Sequence, residues 1–304
     1  MQKTEVFFIG TPVIDYYAKY EKWIEKEYKI KRNCTNFFPL KKIEKLLKKL
    51  KIIDKNAGDN AKNVAVAYKL AGGKKCIYSG ILGQDEEAKF FKKSLKKYKI
   101  KDWAIEKKGR TGRIICLIDK NKERTFIANL GVGIETLILK PLPKTKIFFC
   151  TNITLLYPKI GRSVLSIIKK LKKTGTKIAV SLESANLIKN NISKTLFFCK
   201  KADYIFLNEE EMDAFGQKKL ELNKLNALVF LKAGKKGCKI IEKGKIILEQ
   251  KAKKLKKIKD TTGAGDFFAG GALAAIIKKM PLKKVARLAN FLAARVITRI
   301  GVEP

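Results

Sequence analysis

The sequence predicts an α/β fold, with helices on both faces of a mostly parallel central sheet and a small accessory β sheet. Short apolar runs rich in β-branched and aromatic residues alternate with amphipathic helical stretches along the 304 residues. Buried strands separated by helices are typical of a parallel sheet covered on both faces. Apolar residues make up 46% of the chain, which is enough for a large core. One stretch interrupts the alternation and predicts the accessory sheet.

The strand signals recur in order from the N-terminus. They are EVFFIG, KKCIYSGILG, KIFFCTNI, KIAVSLES, YIFLNEEE and ALVFLKAG, with helical stretches such as AKNVAVAYKLAGG and SVLSIIKKLKKTG between them. Several of these runs end at a small or polar residue: Gly10, Gly80, Asn152, Ser181, Asn208 and Gly234. Ligands of open α/β sheets bind outside the carboxyl ends of the strands, so we expect the functional site there.

The stretch that interrupts the alternation is GRIICLIDKNKERTFIAN, residues 112–129. Its two β runs are joined by a polar turn with no helix between them, which predicts a hairpin. With extended residues around 30–39, the hairpin forms the predicted accessory sheet, which we interpret as a lid. We therefore expect a single domain, 1–304, with lid segments at about 16–40 and 107–130.

The chain is strongly basic, with 68 Lys and Arg against 28 Asp and Glu, a formal net charge of +40. Such a balance suits a polyanionic partner such as nucleic acid or an anionic membrane. The lysines are spread over the whole length at polar positions of amphipathic helices, which favours a lysine-biased surface. Non-specific binding to polyanions is expected in either case.

Several classes of chemistry are excluded by composition. The sequence contains no histidine, so Ser-His and Cys-His catalysis and His-ligated zinc are absent. The six cysteines form no CxxC pair, so we expect core thiols and neither zinc nor disulfides. Glu5 and Pro12 lie too early for a signal peptide, and no apolar run approaches the ~20 residues of a membrane span. We expect a cytoplasmic protein without membrane contact.

The segment DTTGAGDFFAGG, residues 260–271, combines a glycine-rich turn with the start of an apolar helix. The turn, Gly263, Ala264 and Gly265, leaves backbone N–H groups open at a helix N-terminus, which forms an anion site. Asp266 follows in the first turn. It is either an ordinary helix-capping residue or a base for an attacking hydroxyl beside a bound phosphate. The spacing alone does not separate these two roles. No GxxxxGK[ST] loop and no GxGxxG motif occurs.

At this segment the chain resembles the PfkB (ribokinase-like) family of carbohydrate and nucleoside kinases, whose signature is DTxGAGD followed by small residues. The other motifs follow in the family's order. They are FFIGTPVIDYYA for the opening strand, AGDNAKN for GGxxxN, GILGQD for GxxGxD, LNEEE for NxxE, KAGKKG for TxGxxG and RLANFLAARVITRIGVEP for the closing helix. ERTFIANLGVGIETL and the ending IGVEP are nearest to adenosine-kinase-like members and to bacterial sugar kinases grouped with them.

The resemblance implies a ribokinase-like three-layer fold and a kinase that uses ATP and Mg²⁺. It implies that Asp266 takes the proton from a substrate hydroxyl while the amides of Gly263, Ala264 and Gly265 hold the transferring phosphoryl group. The other residues that it implies are Asp15, Gly58, Asp59 and Asn63 for substrate; Asn208, Lys232, Gly234, Gly237 and Asn290 for nucleotide; Glu211 for Mg²⁺ through water; and Asp260 and Thr262 for a monovalent cation such as K⁺.

Three positions depart from the family pattern. Asp59 replaces the second glycine of GGxxxN, where backbone normally approaches the substrate. Ala88 replaces the last glycine of GxDxxG. Lys232 replaces the threonine of TxGxxG and adds a cation near ATP. We expect Asp59 either to contact a hydroxyl-rich substrate or to narrow the substrate pocket.

Two functional interpretations follow. The preferred one is a kinase that phosphorylates a primary hydroxyl of a nucleoside (adenosine-like) or a sugar. The alternative is a non-catalytic kinase-fold protein that binds nucleic acid or a protein partner through its basic surface. Asp59 and the charge favour the alternative, whereas Asp266, the glycine turn and the Asn208/Glu211 pair favour the kinase. We expect a monomer, or a homodimer formed through an exposed β face of the lid.

Overall fold

The computed structural model describes residues 3–252, 255 and 258–298. The ending IGVEP, on which part of the resemblance to adenosine-kinase-like members depends, lies outside these residues.

The strands are β1 (Lys3–Ile9), β2 (Val13–Lys19), β3 (Thr35–Phe37), β4 (Ile52–Gly58), β5 (Cys76–Ser79), β6 (Ile81–Leu82), β7 (Lys101–Asp102), β8 (Ile105–Glu106), β9 (Thr111–Ile118), β10 (Arg124–Gly131), β11 (Lys144–Thr151), β12 (Lys177–Ser181), β13 (Tyr204–Asn208), β14 (Leu228–Lys232), β15 (Cys238–Glu242) and β16 (Lys245–Gln250).

The helices are α1 (Lys22–Tyr28), α2 (Leu40–Lys49), α3 (Asn60–Leu70), α4 (Glu86–Lys97), α5 (Asn152–Leu156), α6 (Pro158–Lys172), α7 (Ala185–Lys189), α8 (Ile192–Cys199), α9 (Glu209–Asp213), α10 (Lys219–Asn223), α11 (Ala264–Ile277) and α12 (Leu282–Val296). Short 3₁₀ turns cover Val132–Ile134, Gly216–Lys218 and Gly234–Lys236.

A large sheet forms the centre of the molecule, and its order is β16-β15-β14-β13-β12-β11-β1-β5-β7. The strands from β14 to β7 pair in parallel. Strand β15 is antiparallel to β14, and β16 is antiparallel to β15. The predicted mostly parallel sheet is therefore confirmed. Because the parallel strands share one direction, their polar endings at Gly10, Asn152, Ser181 and Asn208 meet at the same edge.

Helices cover both faces of the large sheet, which gives the three-layer arrangement. In β1, Val6 and Phe8 pack into one core with α3, α4, α11 and α12. Phe7 and Ile9 point the other way, into a core formed with α6 and α8. On the first side α11 lies directly against α3, since a Cβ built on Gly270 would be 2.5 Å from Ala67 Cβ. The small residues of α11 thus allow close helix–helix packing against α3.

A small sheet of order β3-β10-β9-β2-β4 stands over the carboxyl edge of the large sheet. The predicted hairpin is its centre, with β9 and β10 antiparallel. The small sheet is larger than the predicted lid segments 16–40 and 107–130. It includes β4, which pairs with β2, and it carries α1 and α2.

The two faces of the small sheet have different surroundings. Alternate side chains face inward, toward the large sheet: Val13, Asp15 and Tyr17 of β2, Ile114 and Cys116 of β9, and Arg124 and Phe126 of β10. The other set, which includes Ala18, Ile115 and Ile127, packs under α1 and α2. The outer face is therefore covered by this chain's own helices. The edge strand β4 nevertheless begins with exposed residues, among them Ile53, and the homodimer through the lid stays a prediction.

Within the part of the chain that the structure describes, no helix combines the length and the apolar character needed to cross a membrane. Five of the six cysteines are buried and Cys34 is exposed, in agreement with the predicted core thiols.

The packing of α2 on the small sheet gives a first prediction. Leu46, on the face of α2 that packs on the small sheet, is 0% exposed. Leu46→Ala therefore removes buried side-chain volume and leaves a cavity. We expect a loss of about 2–5 kcal/mol in the free energy of unfolding, measured by urea denaturation. Leu220→Ala, at a position 69% exposed, is the control and should change stability by less than ~0.5 kcal/mol. Equal effects would show that α2 does not seal the small sheet.

Candidate active site

Two neighbouring cavities lie along the carboxyl edge of the large sheet. The inner cavity, of about 490 Å³, lies between this edge and the inward face of the small sheet. The outer cavity, of about 780 Å³, lies beside α12 and the turn at Gly234. Both are lined by Lys232, Thr261, Ala264 and Gly265. The glycine-rich turn before α11 therefore stands where the two cavities meet.

The turn opens the N-terminus of α11 toward these cavities. Gly263 is the N-cap, with φ 74° and ψ 0°, and α11 runs from Ala264 for 14 residues without a side-chain cap. The first backbone N–H groups of the helix consequently lack an intrahelical acceptor and carry the positive end of its dipole. The predicted anion-binding turn thus has the required geometry.

Asp266 is in the first turn of α11 and faces the inner cavity. It makes no capping hydrogen bond to its own helix. Its Oδ2 accepts a hydrogen bond of 3.2 Å from the Asn63 side-chain amide, which comes from α3. Of the two roles left open by the sequence, capping is not the one that the geometry supports.

Burial raises the pKa of Asp266 to about 7, because desolvation disfavours the charged carboxylate. The Asn63 amide and the Lys232 ammonium lower it, while Asp59 and Glu211 raise it. A carboxyl group that titrates near neutrality is well matched to proton transfer at neutral pH.

Asp15 on β2 also lines the inner cavity. Its carboxylate lies directly over Gly58, where a Cβ would be 2.4 Å from Asp15 Oδ2, so only glycine fits. Burial raises the pKa of Asp15 to about 7, and the nearby Lys62 opposes the shift. Lys62 is 0% exposed and its Nζ donates to the Ala57 carbonyl at 2.9 Å. The predicted pair Asp15 and Gly58 is therefore brought together.

Asp59 adopts φ 113° at the N-cap of α3, a conformation that favours glycine and costs on the order of 1–3 kcal/mol in other residues. Its carboxylate accepts hydrogen bonds from Thr11 N at 3.2 Å, Lys62 N at 3.1 Å and the Tyr78 hydroxyl at 2.7 Å. It also fills the space beside Gly10, where a Cβ would be 1.9 Å from Oδ2. Asp59 lines the inner cavity, but its carboxylate is largely engaged by the protein.

Asn208 and Glu211 form a capping box at the start of α9. The Asn208 side chain accepts from Glu211 N at 2.7 Å, and the Glu211 carboxylate accepts from Asn208 N at 2.7 Å. Both residues line the inner cavity. Burial raises the pKa of Glu211, and Lys232 opposes the shift. The NxxE spacing therefore has a structural role as well as the predicted one.

The outer cavity contains the residues predicted for nucleotide, Gly234, Gly237 and Asn290, together with Lys232. Gly234 has φ 52° and Gly237 has φ 106°. The Asn290 amide nitrogen donates to the Gln250 carbonyl at 3.2 Å. The apolar part of the wall comes from α11 and α12 and includes Phe268, Ala293 and Ile297.

Arg124 is a site residue that sequence reasoning missed. It projects from β10 and donates to Asp260 Oδ1 at 2.6 Å and to the Thr262 hydroxyl. It lines the inner cavity. A guanidinium group thus already neutralises Asp260, and the arrangement does not fit the monovalent-cation site predicted for Asp260 and Thr262. The signal was the position of Arg124 in the predicted hairpin, on the face opposite the buried Ile127.

Glu183 is the second residue that was missed. It follows β12, and its backbone is held by the Asn152 side chain, which accepts from Glu183 N at 3.0 Å. Both carboxyl oxygens are buried, and the nearby Asn60 side chain favours the charged form. Desolvation and the nearby Asp266 raise its pKa well above the usual range. Its place just beyond the strand ending at Ser181 was the available signal.

The buried carboxyl groups give a prediction on stability. Unfolded Asp titrates near 3.9 and Asp266 titrates at about 7, so the folded protein binds more protons between these values. The contribution of Asp266 to the free energy of unfolding is therefore present at low pH and is lost as pH rises through about 7. Asp266→Asn should raise the midpoint of thermal unfolding relative to wild type, and more at pH 8 than at pH 5.

The control for that experiment is Asp213→Asn, at a carboxylate whose side chain is 71% exposed. Its difference from wild type should be small and equal at the two pH values. A gap between wild type and Asp266→Asn that does not grow with pH would show that Asp266 is not buried as a carboxyl group of raised pKa.

Comparison with known proteins agrees with this geometry. The chain is 24% identical over 242 residues to an uncharacterized sugar kinase of Archaeoglobus fulgidus, a match that covers 75% of this chain and 94% of that protein. A probable sugar kinase of Rhizobium etli superposes with a TM-score of 0.88 at 20% identity, covering 100% of this chain and 96% of that one. An adenosine kinase of Schistosoma mansoni, solved with 2-fluoroadenosine, gives 0.84 at 20% identity over 98% and 96%.

The structural matches show a shared ribokinase-like fold, and the sequence comparison identifies the family. The pfkB family carbohydrate kinases match this chain over residues 23–304. The glycine-rich turn lies where the two cavities meet, and Asp266 lines the inner one. The chain belongs to the pfkB family of carbohydrate kinases and is a phosphotransferase.

Proposed function

We propose that this kinase transfers the γ-phosphoryl group of ATP to a primary hydroxyl of a nucleoside or sugar held in the inner cavity, with Asp266 as the base. The observation that carries the proposal is the position of Asp266. It faces the inner cavity beside the turn where the outer cavity begins. A hydroxyl in one cavity and a phosphoryl group from the other would meet at this residue.

The proposed step balances as follows. The acceptor oxygen forms a bond to the γ-phosphorus as the bond from that phosphorus to the β,γ-bridging oxygen breaks. The electron pair of the broken bond stays with ADP, and the acceptor proton passes to the Asp266 carboxylate. Phosphoryl transfer depends mainly on positioning and on stabilising the charge of the transferring group.

Two features of the structure would assist the transfer: a group of anion-binding amides and a lid that is attached to them. The amides of Gly263 and Gly265 and the dipole of α11 attract the phosphoryl oxygens, whereas the Ala264 amide donates to the Thr261 carbonyl at 3.3 Å. Arg124 holds the small sheet against the same turn through Asp260 and Thr262. The small sheet therefore acts as the lid that excludes water during transfer.

The inner cavity supports a nucleoside acceptor over a plain sugar. The lining includes polar groups that suit hydroxyls, in Asp15, Asn63 and Glu183. It also includes apolar side chains: Val13, Ile114, Phe126, Leu130 and Ile153. A sugar presents hydroxyls all round, whereas a nucleoside combines a polar ribose with a flat apolar base. The adenosine kinase complex with 2-fluoroadenosine shares this fold, which supports an adenosine-like acceptor.

Mg²⁺ fits the residues at the junction. Glu211 places a buried carboxylate beside the turn, and Mg²⁺ in ATP sites is commonly held by one or two carboxylates together with phosphates and water. The described residues contain no group of three or more acidic or cysteine side chains arranged to bind a metal directly. Glu211 would hold the ion through water, and the ion would neutralise phosphate charge.

The non-catalytic alternative gains no support from the site. Asp59, the departure that favoured it, is engaged by Thr11, Lys62 and Tyr78, and the inner cavity keeps a volume of about 490 Å³. Helices α1 and α2 cover the central strands of the small sheet on its outer side, which leaves only the edge strands of that sheet for a contact with a second copy.

The proposal is tested by ATP consumption with a panel of nucleosides and sugars. We expect turnover with an adenosine-like nucleoside, and a loss of ~10²–10⁴-fold in kcat for Asp266→Asn because the base is removed. Since the carboxylate form is the base and its pKa is about 7, kcat/KM should decrease as pH falls below 7.

Asp213→Asn serves again as the control and should keep the wild-type rate. Turnover that survives in Asp266→Asn would exclude Asp266 as the base and leave the kinase assignment intact. Turnover with sugars alone would contradict the nucleoside acceptor.

A further inference from the structure

We infer that Lys232 is a catalytic residue that contacts the γ-phosphate of ATP as it passes from the outer to the inner cavity. The inference rests on the proposed function and goes beyond nucleotide binding. In this inference Lys232 contacts the phosphoryl group that is transferred, and not the ADP part of the nucleotide.

The backbone holds Lys232 at the right place. It is the last residue of β14 and is paired with Asn208 at the end of β13. It therefore belongs to the rigid carboxyl edge of the large sheet, and not to a mobile loop. Its side chain lines both cavities, a property that it shares with residues of the glycine-rich turn.

The ammonium group lies against the anion-binding turn. A Cβ built on Gly265 would be only 3.0 Å from Lys232 Nζ. An oxygen bound by the amides of this turn would thus be close to the ammonium as well. Amides and a lysine that converge on one point form a stronger site for a phosphoryl oxygen than either does alone.

The pairing of Lys232 leaves it available to a phosphate. Its closest carboxylate contact is Glu211 Oε2 at 3.9 Å, which is longer than a hydrogen bond. Its side chain is only 16% exposed, so water screens it weakly and its field extends into the junction. The Lys232 charge also lowers the pKa of Asp266. One cation thus favours both the ionised base and the incoming phosphate.

Glu211 does not explain the lysine as a structural partner. The Glu211 carboxylate already accepts from Asn208 N in the capping box, which would hold α9 without any cation. Threonine, the family residue at this position, is neutral and brings no charge to the turn. The lysine therefore adds a charge at the junction that the fold itself does not need.

The test compares the affinities of ATP and ADP, measured by calorimetry in EDTA and without acceptor. A contact to the γ-phosphate should give wild type a preference for ATP. Lys232→Met should weaken ATP binding by ~10-fold or more and ADP binding by less than ~2-fold, as expected for one charged hydrogen bond. With ATP, Mg²⁺ and acceptor, kcat should fall by ~10²-fold while the KM of the acceptor stays unchanged.

The matched control is Lys159→Met, which removes the same charge at a side chain 55% exposed and outside both cavities. Because the chain carries +40, this control separates a specific contact from general attraction of nucleotides. It should leave the ATP preference unchanged. Lys232→Arg should retain most of the preference. If Lys232→Met folds poorly, Lys232→Thr should show the same selective loss.

Two results would overturn the inference. The first is an equal loss of ATP and ADP affinity in Lys232→Met, which would place the ammonium at a phosphate common to both nucleotides. The second is an unchanged affinity for both nucleotides in that variant. If wild type phosphorylates no acceptor but Lys232→Met still selectively loses ATP affinity, the contact stands and the proposed function fails.

Discussion

The site depends on keeping the Asp266 carboxyl group out of water at the N-terminus of α11. Desolvation alone would hold this group neutral and useless as a base. The Asn63 amide and the Lys232 ammonium partly offset that cost from two different elements, α3 and β14. Their contributions set the pKa of Asp266 at about 7. Small residues let α11 pack closely on α3. This close packing brings Asn63 of α3 within hydrogen-bond distance of Asp266.

The small sheet solves a related problem. One period-two strand pattern must provide an inward face for a ligand and an outward face for a core. Helices α1 and α2 cover the outward face, so the inward face can carry Asp15 and Arg124 beside apolar side chains. Arg124 then joins the small sheet to the glycine-rich turn through Asp260. The element that covers the inner cavity is thus attached to the element that performs the chemistry.

The large sheet, the hairpin and the place of Asp266 could be predicted because each has a local signature. The strands have apolar runs with polar endings, and the turn has its glycines. Strand β4 could not be predicted, because apolar and polar residues do not alternate in IIDKNAG and its first three residues are exposed. It is a strand because it pairs with β2. The contacts of Arg124 with Asp260 and of Asn63 with Asp266 join residues 136 and 203 positions apart. No local pattern carries such distances. Glu183 has only its place after the strand ending at Ser181 as a signal, and that place does not by itself separate a buried carboxyl group from a solvated one.

The charge of the chain and the charge of its site have opposite character. The surface carries the excess that makes +40, whereas the inner cavity is lined by Asp15, Asp59, Glu183, Glu211 and Asp266 against Arg124 and Lys232. The lysine-rich surface attracts anions to the molecule without directing them to one point. Within the site Arg124 is already engaged by Asp260, so a phosphate must find the amides of the turn and Lys232. In the proposed reaction the amides of the turn and Lys232 therefore determine where a nucleotide reacts, and the many lysines outside the site do not.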